Sequence, residues 1–165
     1  HFNLHMNFDY NKPEFVFKGN FSKFNLKDLS PLIQSFTPAS INNGFAEKIE
    51  FNGTAKKNKA DATMKFLYRD LSFNLNFEDK AAWKNSVLSF AANAVVNSSN
   101  PASEGLQPRI VKYQVQRNMN KSFINFILLS VLSGLKETVF MSKENKQRYK
   151  QAKKEMRKEL KESTD

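Results

Sequence analysis

The stretch Gly44-Phe-Ala-Glu-Lys-Ile-Glu-Phe-Asn-Gly-Thr-Ala55, followed after a short lysine-rich turn by Ala62-Thr-Met-Lys-Phe-Leu-Tyr-Arg-Asp-Leu-Ser-Phe-Asn-Leu-Asn-Phe77, decides how this chain is read. In the first half Phe45, Ile49, Phe51, Gly53 and Ala55 share one parity up to the turn Lys56-Lys57-Asn58-Lys59. Alternation of this kind is the period of a half-buried strand, so the pair predicts a β-hairpin. On the return Ala62, Met64, Phe66 and Tyr68 lie on one parity and Leu71, Phe73, Leu75 and Phe77 on the other. A single inserted residue restores the face, which predicts a bulge near Arg69-Asp70.

Outward toward the N-terminus the same period recurs. Phe2, Leu4, Met6, Phe8 and Tyr10 alternate with polar residues. The turn Asn11-Lys12-Pro13 follows, and Phe15, Phe17, Gly19 and Phe21 then form a second strand, with Gly19 at a bulge or a close approach. Between Asn25 and Phe36, Leu26, Leu29, Leu32 and Ile33 recur at three- and four-residue spacings, and Pro31 limits them to a short helix or irregular crossing. Toward the C-terminus, Glu78-Asp79 precedes a helix from about Lys80 to Asn97 with an apolar stripe of Trp83, Val87, Leu88, Ala91, Ala94 and Val95. A loop over residues 98–108, a strand over 110–115 and a helix from Lys121 to Phe140 complete the domain. The apolar core of that last helix, Phe123 to Leu135, is about thirteen residues, fewer than the ~20 that span a bilayer.

The expected fold is therefore α+β: a curved, mostly antiparallel sheet with a phenylalanine-rich apolar face covered by helices, over residues 1–142, and a basic helical tail over 143–165. The absence of an initiator Met and of a signal-like segment in 165 residues reads as a piece of a longer chain. Sixteen Phe against one Trp and four Tyr make the sheet face unusually aromatic. Fully burying one such side chain contributes about 1.5–3 kcal/mol, so a filled core explains the stripes without a ligand. An inner face left partly open would instead offer a groove to acyl chains. Alternation alone does not choose between them.

Charge and residue inventory narrow the function. Lys and Arg number 26 against 16 Asp and Glu, a net charge of +10, which favours anionic partners. There is no cysteine, which excludes a disulfide framework, a thiolate metal site and a cysteine nucleophile. The two histidines, His1 and His5, have no third ligand at metal-site spacing, and the five glycines are scattered, so neither a metal, a nucleotide loop nor another cofactor is expected. No nucleophile, base and orienting acid stand at recognisable spacing, so a non-catalytic chain is expected. In the tail Lys143, Lys146, Arg148, Lys150, Lys153, Lys154, Arg157, Lys158 and Lys161 are candidates for contact with an anionic surface. The acids interspersed with them equally suit a solvated single helix. A basic nucleic-acid-binding domain and a protein-interaction domain stand as alternatives, the former without any zinc-finger, helix-turn-helix or RNA-binding motif.

The segments Phe15-Val-Phe-Lys-Gly-Asn-Phe21, Phe51-Asn-Gly-Thr-Ala55 and Met64-Lys-Phe-Leu-Tyr-Arg-Asp-Leu71 resemble the C-terminal region of AsmA-like envelope proteins of the Bacteroidetes type, a likeness that extends through Asn100-Pro101, Arg117 and the helical end. The resemblance implies a curved sheet with an apolar groove, a periplasmic location with a tether to the inner membrane through a missing N-terminal region, and a part in outer-membrane biogenesis through phospholipid transport. It implies no catalytic residue and no cofactor. Phospholipid or an anionic membrane surface, and envelope proteins, are the partners it implies, with Phe45, Ile49, Phe51, Met64, Phe66, Phe73, Leu75 and Phe77 as the lipid-facing candidates.

Overall fold

The computed structural model describes residues 1–9, 11–12, 14–34, 39–75, 97–140, 146–147 and 150–151. Strands β1 (Phe2–Asp9) and β2 (Glu14–Phe21) are followed by a two-residue strand β3 (Phe24–Asn25), a 3-10 turn (Leu26–Leu29) and a short helix α1 (Ser30–Gln34). The long strands β4 (Ala39–Ala55) and β5 (Lys59–Leu75) come next, then β6 (Ile110–Gln116) and helix α2 (Phe123–Phe140). The sheet runs β1-β2-β4-β5-β6, with β3 pairing on β4, and every pairing is antiparallel. An α+β fold on a curved antiparallel sheet with a phenylalanine-rich core is thus what the periodicities form.

Register explains the core. Antiparallel partners share a face, so the pairings line up rows across the sheet: Phe8, Phe15, Ala55, Ala60 and Val115; Met6, Phe17, Gly53, Ala62 and Tyr113; Leu4, Gly19, Phe51, Met64 and Val111. Within each row large and small side chains complement one another. An added Cβ on Gly53 would lie 2.6 Å from the Phe17 ring, and one on Gly19 would overlap the Phe51 ring. Gly19 is therefore a close approach rather than a bulge, a socket that lets the neighbouring ring lie flat. Helix α2 covers the β5 and β6 part of this face, burying Phe126, Ile127, Val131, Leu135 and Val139. It comes close because Gly134 leaves room for Met64 and Tyr113, whose atoms would lie 2.6 and 2.8 Å from a Cβ there.

The predicted bulge is present: Asp70 has φ of 56°, and pairing jumps from Phe45–Arg69 to Asn43–Ser72. It returns Leu71 to the core face, where it is buried. Two further irregularities lie on β4, between Ile41 and Asn43 and between Ala46 and Lys48. The second reverses parity, so Ala46 is buried and Phe45 leaves the row of Ile49 and Phe51. Phe45 instead lies beneath the Arg69 guanidinium, 5.0 Å from its ring centre. Arg69 also meets Glu47 at 3.2 Å, a hydrogen bond that is the main cause holding that carboxyl below its ordinary range.

The loop after residue 97 is fastened to β5 by polar groups. Asn100 pairs with Tyr68 through both backbone hydrogen bonds, at 2.8 and 3.1 Å. Its buried side chain donates to the carbonyls of Phe66 and Arg109 and accepts from the Arg109 backbone N–H at 2.6 Å. The buried Arg109 guanidinium donates to the Tyr68 hydroxyl at 3.2 Å and to the Ser99 carbonyl, and that hydroxyl donates to Asn97 at 2.7 Å. Burial pushes the Tyr68 hydroxyl up to about 12, partly offset by the Arg109 charge. Asn97 donates to the Val139 carbonyl, joining loop, strand and helix.

Residues 80–96 of the expected helix fall outside the described residues, as does most of the tail, and Asn97, its expected last residue, is not helical. Residues 146–147 and 150–151 are helical and exposed. Helix α2 is longer than its apolar core suggested: its eighteen residues satisfy the length and composition for crossing a membrane, which revises the expectation that it is too short, and 56% of it is buried in the fold.

Candidate functional site: the uncovered edge of the apolar face

The lipid-facing candidates separate by position. Ile49, Phe51, Met64 and Phe66 are all buried, at 1 to 2% exposure, and fill the core. Phe73 is partly buried and stacks on Phe140 at 5.7 Å. Phe45 sits under Arg69, away from the row. The Leu75 backbone ends β5, while its side chain and Phe77 lie outside the described residues. The structure thus brings four of the eight together, as packing.

Open apolar surface lies elsewhere on the same face. Among the described residues strand β1 is the sheet edge, and its register carries each row past β2: Phe2 opposite Phe21, Leu4 opposite Gly19, Met6 opposite Phe17 and Phe8 opposite Phe15. Phe2, Met6 and Phe8 are 48, 40 and 45% exposed. Their inner sides touch the core: Phe2 stacks on Phe21 at 4.4 Å, and Phe8 lies 5.1 Å from Phe15 and 6.2 Å from Phe123 at the start of α2. Four apolar side chains therefore line the ~20 Å edge in file, with one flank packed and the other in water.

Sequence reasoning identified this strand without choosing its residues as a site, because alternation does not say which strand is an edge. The feature that could have suggested it is local: between Phe2 and Phe8 the strand carries neither Lys, Arg, Glu, Asp nor Pro, the residues that commonly guard an edge.

The opposite face of the sheet is mostly polar, with Val16 and Ile110 exposed on it. Two shallow depressions of about 580 and 640 Å³ lie on it, lined by His5, Lys18, Asn52, Thr63, Lys65 and Lys112 among others. Among the described residues no group of three or more His, Asp or Glu could hold a metal ion. Of the tail cations, Lys146 and Lys150 are described and exposed; Lys143, Arg148, Lys153, Lys154, Arg157, Lys158 and Lys161 fall outside the described residues. No protein-family model, curated protein or solved structure matches this chain.

Proposed function

We propose that this chain is a non-catalytic, lipid-handling segment of an AsmA-like envelope protein, presenting the apolar file of β1 to phospholipid acyl chains. The observation that carries this reading is the row Phe2, Leu4, Met6 and Phe8, continuous with the core on one face, in which Leu4 is partly buried and the other three are half-exposed. Exposed apolar area in a continuous strip marks a binding surface more than scattered single residues do. An acyl chain is an apt occupant, since it is linear and apolar and asks nothing of the polar groups. Burying one of the three half-exposed side chains further is worth roughly 1 kcal/mol, so together they give useful but reversible affinity.

On this reading the cell-envelope role, the periplasmic side and the inner-membrane tether follow from the resemblance in the strand motifs. The basic tail would lie near anionic head groups. Native mass spectrometry with lipid extraction tests the proposal on the purified chain. Co-purified phospholipid that is lost in Met6→Glu, with folding intact, is the expected result. A wild-type chain that is lipid-free and takes up none from added phospholipid overturns it.

A further inference from the structure

At one end of the sheet the β4–β5 hairpin and the connection from β6 to α2 are basic, and the β1–β2 turn adds one lysine between two flanking acids. Strand β1 arrives at that end at Asp9, β4 at Ala55 and β6 at Gln116, while β2 and β5 leave from it. Lys12 lies in the β1–β2 turn, Lys56, Lys57 and Lys59 in the β4–β5 hairpin, and Arg117 and Lys121 in the connection to α2. A backbone hydrogen bond from Arg117 to the Asn58 carbonyl, at 2.7 Å, ties the connection to the hairpin. Arg117 also lies over the rings of Phe123 and Phe126 at 6.0 and 5.9 Å.

The carboxylates nearby do not balance these cations. Asp9 is opposite Lys12 at 3.9 Å, Asp61 accepts from Gln114 at 2.7 Å, and Glu14 begins β2. Among the described residues no ion pair engages Lys56, Lys57, Lys59 or Lys121. The far half of the sheet differs, for there Lys23 and Arg69 share Glu47 at 3.4 and 3.2 Å, and Arg69 also meets Asp70.

The same basic end exposes apolar side chains. Met119 is 60% and Ile124 70% exposed, and Phe8 completes the set. Exposed apolar groups among unpaired cations match the two parts of a lipid bilayer: the cations attract anionic head groups, and the apolar tips enter the acyl boundary. We infer that this end of the sheet docks on an anionic lipid bilayer, with Lys56, Lys57 and Lys121 on the head groups and Met119 and Ile124 as the inserted tips. The inference deepens the lipid-handling reading and rests on it for the class of partner. It puts a membrane contact at the sheet end, beyond that of the tail, and places Phe8, the last residue of the acyl file, at the bilayer.

Co-sedimentation of the full chain with vesicles tests it, using phosphatidylethanolamine with about a quarter phosphatidylglycerol, and phosphatidylcholine alone as the neutral control. The wild type should pellet with the anionic vesicles at low salt, release as salt rises, and ignore the neutral ones. Lys56→Glu with Lys57→Glu should weaken partitioning about thirtyfold or more, and Ile124→Asn about tenfold. Both variants alter exposed side chains, so their thermal unfolding should match the wild type. Wild-type affinity in both variants overturns the inference, as does a loss seen only on reversing Lys153 and Lys154 in the tail. Absence of vesicle binding at low salt, including a chain that binds only nucleic acid, overturns it too. The two readings separate cleanly: a chain that docks but carries no phospholipid sinks the acyl file alone, and one that carries phospholipid but does not dock sinks the sheet-end inference alone.

Discussion

One apolar face of this sheet has two fates. Over β5 and β6 it lies beneath α2, with Met64, Phe66 and Val111 sealed. At β1 the same rows emerge with Phe2, Met6 and Phe8 half in water. The residues are of the same kind in both places, and only the covering differs. Apolar alternation therefore reports which side of a strand faces inward. It does not report whether anything lies on top, and that decides whether an aromatic row is core or binding surface.

The contrast is best broken by truncating a ring on each side of it. Phe17→Ala, in the sealed part, removes a fully buried ring facing Gly53 and should cost about 3–5 kcal/mol in urea unfolding. Phe2→Ala should cost about 1 kcal/mol or less, since nearly half of that side chain is already solvated. Equal losses would mean that the edge file is structural and would remove the distinction. Next in size is the effect of high pH on the sealed side. The Tyr68 hydroxyl is raised from 10.0 to about 12 in the folded chain by burial, so the folded state holds this proton more tightly than the unfolded state. Its contribution is complete below about pH 10 and is lost as pH rises toward 12, a loss of roughly 2–3 kcal/mol. Tyr113, also raised to about 12 by burial, adds in the same direction. Tyr68→Phe should flatten part of that slope in a pH series of unfolding midpoints.

Gly53→Ala sharpens the comparison at about 1–3 kcal/mol, because the new methyl meets the Phe17 ring, the Ala62 Cβ and the Asp61 carbonyl, all under 3.0 Å. Gly134→Ala should cost less. There the obstacle is the flexible end of Met64 together with the Tyr113 ring, and alanine regains up to about 1 kcal/mol of helix propensity. Comparable losses at the two positions would show that α2 is seated as tightly as the strands are. Asn100→Ala belongs in the same range, about 1–3 kcal/mol, since it leaves the Phe66 and Arg109 carbonyls and the Arg109 N–H without this partner. Smallest in stability but largest in ligand terms is Met6→Glu. It should shift the unfolding midpoint only slightly while abolishing phospholipid recovery.

Much of the fold could be read directly. Strict alternation over Phe2–Phe8 and Phe15–Phe21 fixed two strands and their shared face, because a one-residue slip would have turned Phe and Leu into water. The change of parity between Tyr68 and Leu71 required an insertion, and Asp70 supplies it with a positive φ. Phe45 was misassigned to the row of Ile49 and Phe51 for a related reason. The compensating irregularity near Glu47 sits among Ala, Glu and Lys, with no apolar pair to announce the switch. The candidate site was less visible. Its four residues could be named as a strand, but their status as an edge depends on β2 pairing onward to β4, a contact between segments about thirty residues apart.

By itself, then, the sequence determined the strand faces outside the stretch around Phe45, the bulge at Asp70, the late strand, the final helix and the excess of positive charge. Those follow from local spacing and from side-chain chemistry, which act over a few residues. Tertiary structure alone decided that β1 is the edge among the described residues, that α2 covers one part of the sheet face and spares another, and that lysines from three separate connections lie at one end. Such facts arise from strand order and helix placement, which are settled by packing between distant segments and leave no periodic trace in the chain.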